Sequence, residues 1–483
     1  MIRVEDTYYM VSTTMHFMPG CEILQSFDLV HWEHVTYVYE TLDHTDAQQL
    51  KSGQNIYGQG MWAASLRYHE GRFCICFVAN DTRKTYLYTS EKIDGPWKKQ
   101  LIEGFYHDGS LLFDEDGRNY IVYGNDEIWI TELNEDLTAP KKDGLHRLLV
   151  SDHKNPELGY EGSHIQKING YYYIFLIHSL RDRWMRTEAC FYSDSLEGEF
   201  TGGDVLCDDR GYCGQGVAQG GIVDTPDGKW YAMLFQDSGA VGRIPILLPV
   251  TWKDHFPFFG QNGHVPEEIE VHSTRPGYIY QPLVGSDDFC NGLLPRWQFN
   301  HDPDPRYYHL DALQGTYTIT TREVCTELTQ AVNTLTQRMS YPSCAAEVTV
   351  DASALKEGDV AGLCALQSCY AAVGITKHHG KYEVLMLDKK EDGILDMTEG
   401  TVVESHQMDF RLEADFCNMK DEARCYYRVN KGDWLPIGTV HKLYFKLDHF
   451  TGCRFGLFCY AAEETGGSAC FRDFKYYDVD EIS

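Results

Sequence analysis

One unit recurs through the first half of the chain: an apolar strand, a tight turn at an acidic or amide residue, and an aromatic strand. It reads VEDTYYM at 4–10, YHEGRFCICF at 68–77, FDEDGRNYIVY at 113–123, KINGYYYIFLI at 167–177 and DTPDGKWYAMLF at 224–235. The turns fall at Asp6, Gly71, Gly117, Gly170 and Gly228, spaced 65, 46, 53 and 58 residues apart. Each unit continues into an outer strand and a mostly polar loop, as in SFDLVHW (26–32), SEKIDGPW (90–97), TELNEDLT (131–138) and SDSLEGEF (193–200). One such unit cannot bury its own apolar face, so neighbours must stack. Five units of about four strands predict a five-bladed β-propeller. The units are too long for WD40 repeats, and no GH…WD signature is present.

After GHVPEEIEVHSTRPGY (263–278) the pattern changes. Segments such as AAEVTVDA, YAAVGIT, KYEVLML and CRFGLFCY alternate with period two between frequent turns, which predicts a β-sandwich. The chain is therefore expected to be all-β, with a propeller over 1–283 and a sandwich over 284–483. The second part shows no evident aromatic platform and is expected to brace the first.

The formal net charge of −30 argues against nucleic acid or an anionic membrane as partner. Aromatic content of 13% suits β structure and sugar-facing surfaces, so a neutral ligand fits best. No apolar run approaches the length of a membrane span and no secretion signal opens the chain, so a cytoplasmic protein is expected. The 16 cysteines form no CxxC pair, and read as small apolar residues of a reduced protein. The histidines show no metal-ligand spacing, and no metal is expected.

Propeller sites lie where the innermost strands begin, so equivalent residues follow from counting back from each turn. Nine residues before Gly117 is Asp108, before Gly170 Glu161, before Gly71 Trp62, and before Gly228 Gln219. Two carboxylates, an indole and an amide thus share one ring around the channel mouth. Paired carboxylates beside an aromatic surface suit hydrolysis of a glycosidic bond: one protonates the leaving oxygen while a base activates water.

At these residues the chain resembles glycoside hydrolase family 43, the β-xylosidase and α-L-arabinofuranosidase group. The motifs are TYYMVSTTMHFMPG (7–20), GMWAASL (60–66), HDGSLLFDEDGR (107–118), GYEGSH (159–164), QGGIVDTPDGKWYAMLF (219–235) and GAVGRIP (239–245). The resemblance implies an inverting glycosidase whose second domain is a concanavalin-like sandwich. It makes Glu161 the general acid and Asp108 the carboxylate that orients it and keeps it protonated. It also makes Arg243 a sugar contact, and Trp62, Phe17 and Gln219 pocket walls. No cofactor is implied. A structural calcium, known among such sequences, lacks its histidine here, because the candidate positions are Cys213 and Ser238.

The resemblance places a third carboxylate, the general base, just before an Ile-Arg-Val strand. Here that strand is Ile2-Arg3-Val4, so the base is expected ahead of Met1 and the activity of this chain is expected to be impaired. The expected function is release of xylose or arabinose from short xylan or arabinoxylan oligosaccharides. The alternative is a pseudoenzyme that binds pentose oligosaccharides without turnover. Nothing in the sequence specifies an oligomeric state.

Overall fold

The computed structural model describes residues 1–478. Five antiparallel four-stranded sheets follow one another along the chain, each running in sequence order from inner to outer strand. The inner strands are Ile2–Val4, Met61–His69, Ser110–Phe113, Glu161–Ile168 and Ala218–Asp224. Gly71, Gly117, Gly170 and Gly228 all sit in the hairpin turn that follows, at φ between 76° and 85°, where a Cβ would be strained.

Apolar clusters between neighbouring sheets hold the ring together. Ile23 and Val38 meet Phe77 and Tyr86 between the first and second blades. Cys74 and Cys76 pack with Leu111 and Ile121 between the second and third, which is the apolar use expected of them. Leu112 and Tyr120 meet Ile165 and Ile174 in the next interface, and Phe175 and Tyr173 meet Ile222 and Leu248 in the fourth. Tyr8, Val223 and Tyr231 close the ring, helped by the Arg3–Asp224 ion pair at 2.5 Å.

The second domain stacks a nine-stranded sheet on a seven-stranded one. Their inner faces supply a large apolar core including Phe410, Phe455, Phe471 and Trp297. One strand of the larger sheet comes from the propeller: Phe17–Met18 pairs antiparallel with Gln298–Asn300. This pairing and the bonds from Tyr57 Oη to the Thr329 carbonyl (2.6 Å) and from the Cys453 amide to the Ala240 carbonyl (2.8 Å) join the two domains. No helix among the described residues is long and apolar enough to cross a membrane.

Candidate active site

Trp62, Glu161 and Gln219 occupy the first or second position of their inner strands, and Asp108 lies two residues ahead of Ser110–Phe113. The register inferred from the turns thus brings these four residues to one end of the ring. Arg67 ties the strands beneath them. Its guanidinium donates to Ser110 Oγ at 2.8 Å, the Leu111 carbonyl at 2.8 Å and the Ile165 carbonyl at 2.9 Å. These bonds tie the second blade to the inner strands of the blades that carry Asp108 and Glu161.

Asp108 is buried and adopts φ 47°, with Oδ2 accepting the Gly162 amide at 3.1 Å and Oδ1 left without a partner. Burial pushes its carboxyl above the ordinary Asp range; the charge of Glu161 adds to this, while His107 and Arg243 oppose it. Glu161 accepts a bond from Asn125 Nδ2 at 2.6 Å. Between the carboxylates stands His107, whose Nε2 lies 3.7 Å from Asp108 Oδ2 and 3.6 Å from Glu161 Oε2. Burial alone would lower the imidazole, but Glu161 and Asp108 outweigh it and raise its affinity for a proton.

Arg243 follows the tight turn of GAVGRIP and is anchored by Asp237 at 3.4 Å. Burial lowers its pKa, against the pull of Asp237. Its guanidinium covers the faces of Phe235 at 4.2 Å and Phe450 at 4.8 Å. Gly242 precedes it at φ 95°, and a Cβ there would come within 2.8 Å of Gly452 Cα. The turn therefore presses directly on the loop that presents Phe450.

Phe450, His107 and Asn125 are the site residues that sequence reasoning missed. His107 opens HDGSLLFDEDGR and Asn125 lies two residues past FDEDGRNYIVY, so a signal for them existed. Phe450 belongs to the second domain, and nothing local to its segment marks it. Its ring lies 5.3 Å from that of Trp62, which in turn is 5.8 Å from His107. The second domain thus forms one wall of the site as well as bracing the propeller.

Of the remaining expected pocket walls, Phe17 lies elsewhere and Gln219 stands at the channel mouth. Phe17 turns away from the channel mouth because its strand is captured by Gln298–Asn300. It is buried among Leu328, Tyr370 and Phe458, with the Arg454 guanidinium 4.2 Å above its ring. Gln219 adopts φ 59° and donates its backbone amide to the Glu188 carboxylate at 2.7 Å, while its side chain packs over Gly162.

For calcium, the residues present do not fit. Cys213 is exposed, and Ser238 Oγ bonds the Gln236 carbonyl at 3.4 Å. His164, on the inner strand of the fourth blade, is held to a pKa of about 3, chiefly by burial, with Arg67 adding to the effect. Among the described residues, His107, Asp108 and Glu161 offer metal-ligand atoms within 4.8 Å of one another.

The sequence profile described as "Glycosyl hydrolases family 43" matches residues 1–257, and the one described as "Beta xylosidase C-terminal Concanavalin A-like domain" matches 286–477. The chain is 26% identical to a "Beta-xylosidase" of Formosa agariphila over 99% of this chain and 86% of that protein. It is 23% identical to a "Non-reducing end alpha-L-arabinofuranosidase" of Bacteroides ovatus over 82% of this chain and 77% of that one. Among solved structures it is similar to a "Bifunctional GH43-CE" protein of Bacteroides eggerthii, with 42% identity and a TM-score of 0.91. That match covers 99% of this chain but 62% of the other.

Proposed function

The chain belongs to glycosyl hydrolase family 43, and from that premise we propose that it releases xylose or arabinose from the non-reducing ends of short xylan or arabinoxylan oligosaccharides. The observation that carries this reading is the Asp108–Glu161 pair at the channel mouth, flanked by Arg243, Trp62 and Phe450. Glu161, carrying a proton, gives it to the glycosidic oxygen as the bond to the anomeric carbon breaks. A water then adds to the opposite face of that carbon and loses its proton to a carboxylate base. Asp108 is unsuited to be that base, because its ligand atoms stand within 4.8 Å of those of Glu161. An inverting acid–base pair instead needs roughly 6.5–9.5 Å to admit a water. The role of Asp108 is to orient Glu161.

In the family pattern the base precedes Ile-Arg-Val. Here that strand is Ile2-Arg3-Val4. The competing reading, a pentose-oligosaccharide-binding protein without catalysis, is supported by the same pocket walls.

Turnover of aryl β-D-xyloside and aryl α-L-arabinofuranoside, alongside titration with xylobiose, separates the two. Turnover above the Glu161→Gln variant supports the hydrolase. Binding with turnover equal to that variant supports the binding protein. The anomer formed first, read by NMR, tests the stereochemistry: α-xylose from a β-xyloside means inversion. Retention would instead make Asp108 the nucleophile.

A further inference from the structure

A cleft of about 310 Å³ lies at the junction of the two domains and shares no lining residue with the channel-mouth site. The propeller loop that links the first and second blades contributes Gln54, Asn55 and Tyr57. The second domain contributes Gln330, Ser368 and Tyr444, among others. The volume is at the lower end of small-molecule sites, roughly 300–1,000 Å³.

Most of the charge in this cleft is paired. Lys389 pairs with Glu327, Lys446 with Glu391, and Lys390 with Asp396, while the Asp448 carboxylate accepts the Tyr444 hydroxyl at 2.6 Å and keeps its charge. What is left open is that one carboxylate and a set of neutral polar groups. The Gln54 side-chain carboxamide, Asn55 Nδ2 and Gln330 Nε2 have no hydrogen-bond partner among the described residues, whereas Asn55 Oδ1 and Gln330 Oε1 are held by the Tyr57 and Thr326 backbone amides. Both of those side chains therefore have their oxygen fixed and their NH₂ group directed by it. Fixed amide donors beside one carboxylate acceptor match a ligand made of hydroxyl and ring oxygens, and the carboxylate disfavours an anion.

The far wall is also the root of the loop that shapes the catalytic pocket. Tyr444 and Asp448 lead straight into His449 and Phe450. Tyr57 stacks on His449 with ring centres 5.0 Å apart, and the Gly58 amide donates to the His449 carbonyl at 3.3 Å.

We propose that this cleft is a second binding site for a neutral xylan-type oligosaccharide, and that its occupation braces the loop carrying Phe450. The identity of the sugar rests on the glycosidase reading; the existence of the site does not. Calorimetric titration of residues 1–483 with xylotetraose is expected to resolve two sites. The Asn55→Ala/Gln330→Ala double variant should lose one of them and keep the other, and the site it keeps shows that the variant is folded. Arg243→Ala should lose only the site that the double variant keeps. In Arg243→Ala, xylotetraose should also slow amide hydrogen exchange in residues 444–450. A single site in the parent chain, or two sites that both survive the double variant, overturns the cleft. Exchange unchanged despite binding overturns the bracing. A cleft site present without any Arg243-dependent site fails the glycosidase reading while leaving this one standing.

Discussion

The Phe450 ring of the second domain lies 5.3 Å from the Trp62 ring of the propeller and 4.8 Å from the Arg243 guanidinium. Three side chains from two domains thus meet over the entrance to the Asp108–Glu161 pair. An aromatic contact contributes about 0.5–1.5 kcal/mol beyond burial, and a cation–π contact with a solvent-reached arginine about 0.5–1. Both kinds of contact are made by this one residue.

Phe450→Ala is expected to lower kcat/KM for xylo-oligosaccharides by about tenfold, or ~1.4 kcal/mol, mostly through KM, with the fold intact by circular dichroism. Unchanged kinetics would show that the second domain only supports the propeller. Steady-state assays across xylobiose, xylotriose and aryl xyloside would make the comparison.

Glu161→Gln keeps the shape and the Asn125 contact but removes the transferable proton. The loss should be about 10²–10⁴-fold on xylobiose. It should be much smaller on an aryl xyloside whose phenolate leaves without protonation. Equal losses on both substrates would remove Glu161 from the acid role.

Much of this arrangement was legible in the sequence because it is local. A turn recurring at a fixed distance behind the inner strand sets where Trp62, Asp108, Glu161 and Gln219 fall, since the hairpin holds register over a few residues. Phe17 and Phe450 escaped for the opposite reason. Each is placed by contact with the other domain, through Phe17–Met18 pairing with Gln298–Asn300 and through the loop pressed against Gly242. No period in the sequence encodes that docking. His107 was overlooked although it adjoins Asp108, because a single histidine signals nothing until its two carboxylate neighbours are seen around it.

Asp108 should cost the fold stability at neutral pH. Its folded carboxyl is raised by burial and by Glu161, so between the ordinary Asp pKa and the folded value the native state holds more protons than the unfolded one. Stability therefore falls as pH rises through that window and stays lowered above it. Asp108→Asn should raise the melting temperature at pH 7 and give no gain near pH 3, while activity drops. A variant equally or less stable at pH 7 would contradict the assignment.

Acid should instead loosen the junction between the domains. His16, His301 and His449 are all buried, and the rings of His301 and His449 each lie within 5 Å of the His16 ring, centre to centre. Neither nitrogen of His16 or His449 has a partner, while His301 Nε2 accepts the Ile56 amide at 3.0 Å. Burial holds His449 to a pKa of about 3, with Asp448 opposing and Arg454 adding to the effect. Burial also lowers His16 and His301 well below the usual range; His449 reinforces both, His301 and Arg454 add at His16, and Asn300 opposes there. In the unfolded chain these imidazoles take up protons as pH falls below about 6.5. The native state then binds fewer protons, and stability declines with acidification by up to about 1.4 kcal/mol per pH unit for each imidazole. Because His449 adjoins Phe450, the pocket wall is the part exposed to this loss. His449→Phe keeps a flat ring between Tyr57 and His16 and removes one titrating group, so its melting temperature should fall less steeply between pH 6.5 and 5 than that of the parent chain. Parallel slopes in the two proteins would show that the cluster does not govern acid stability.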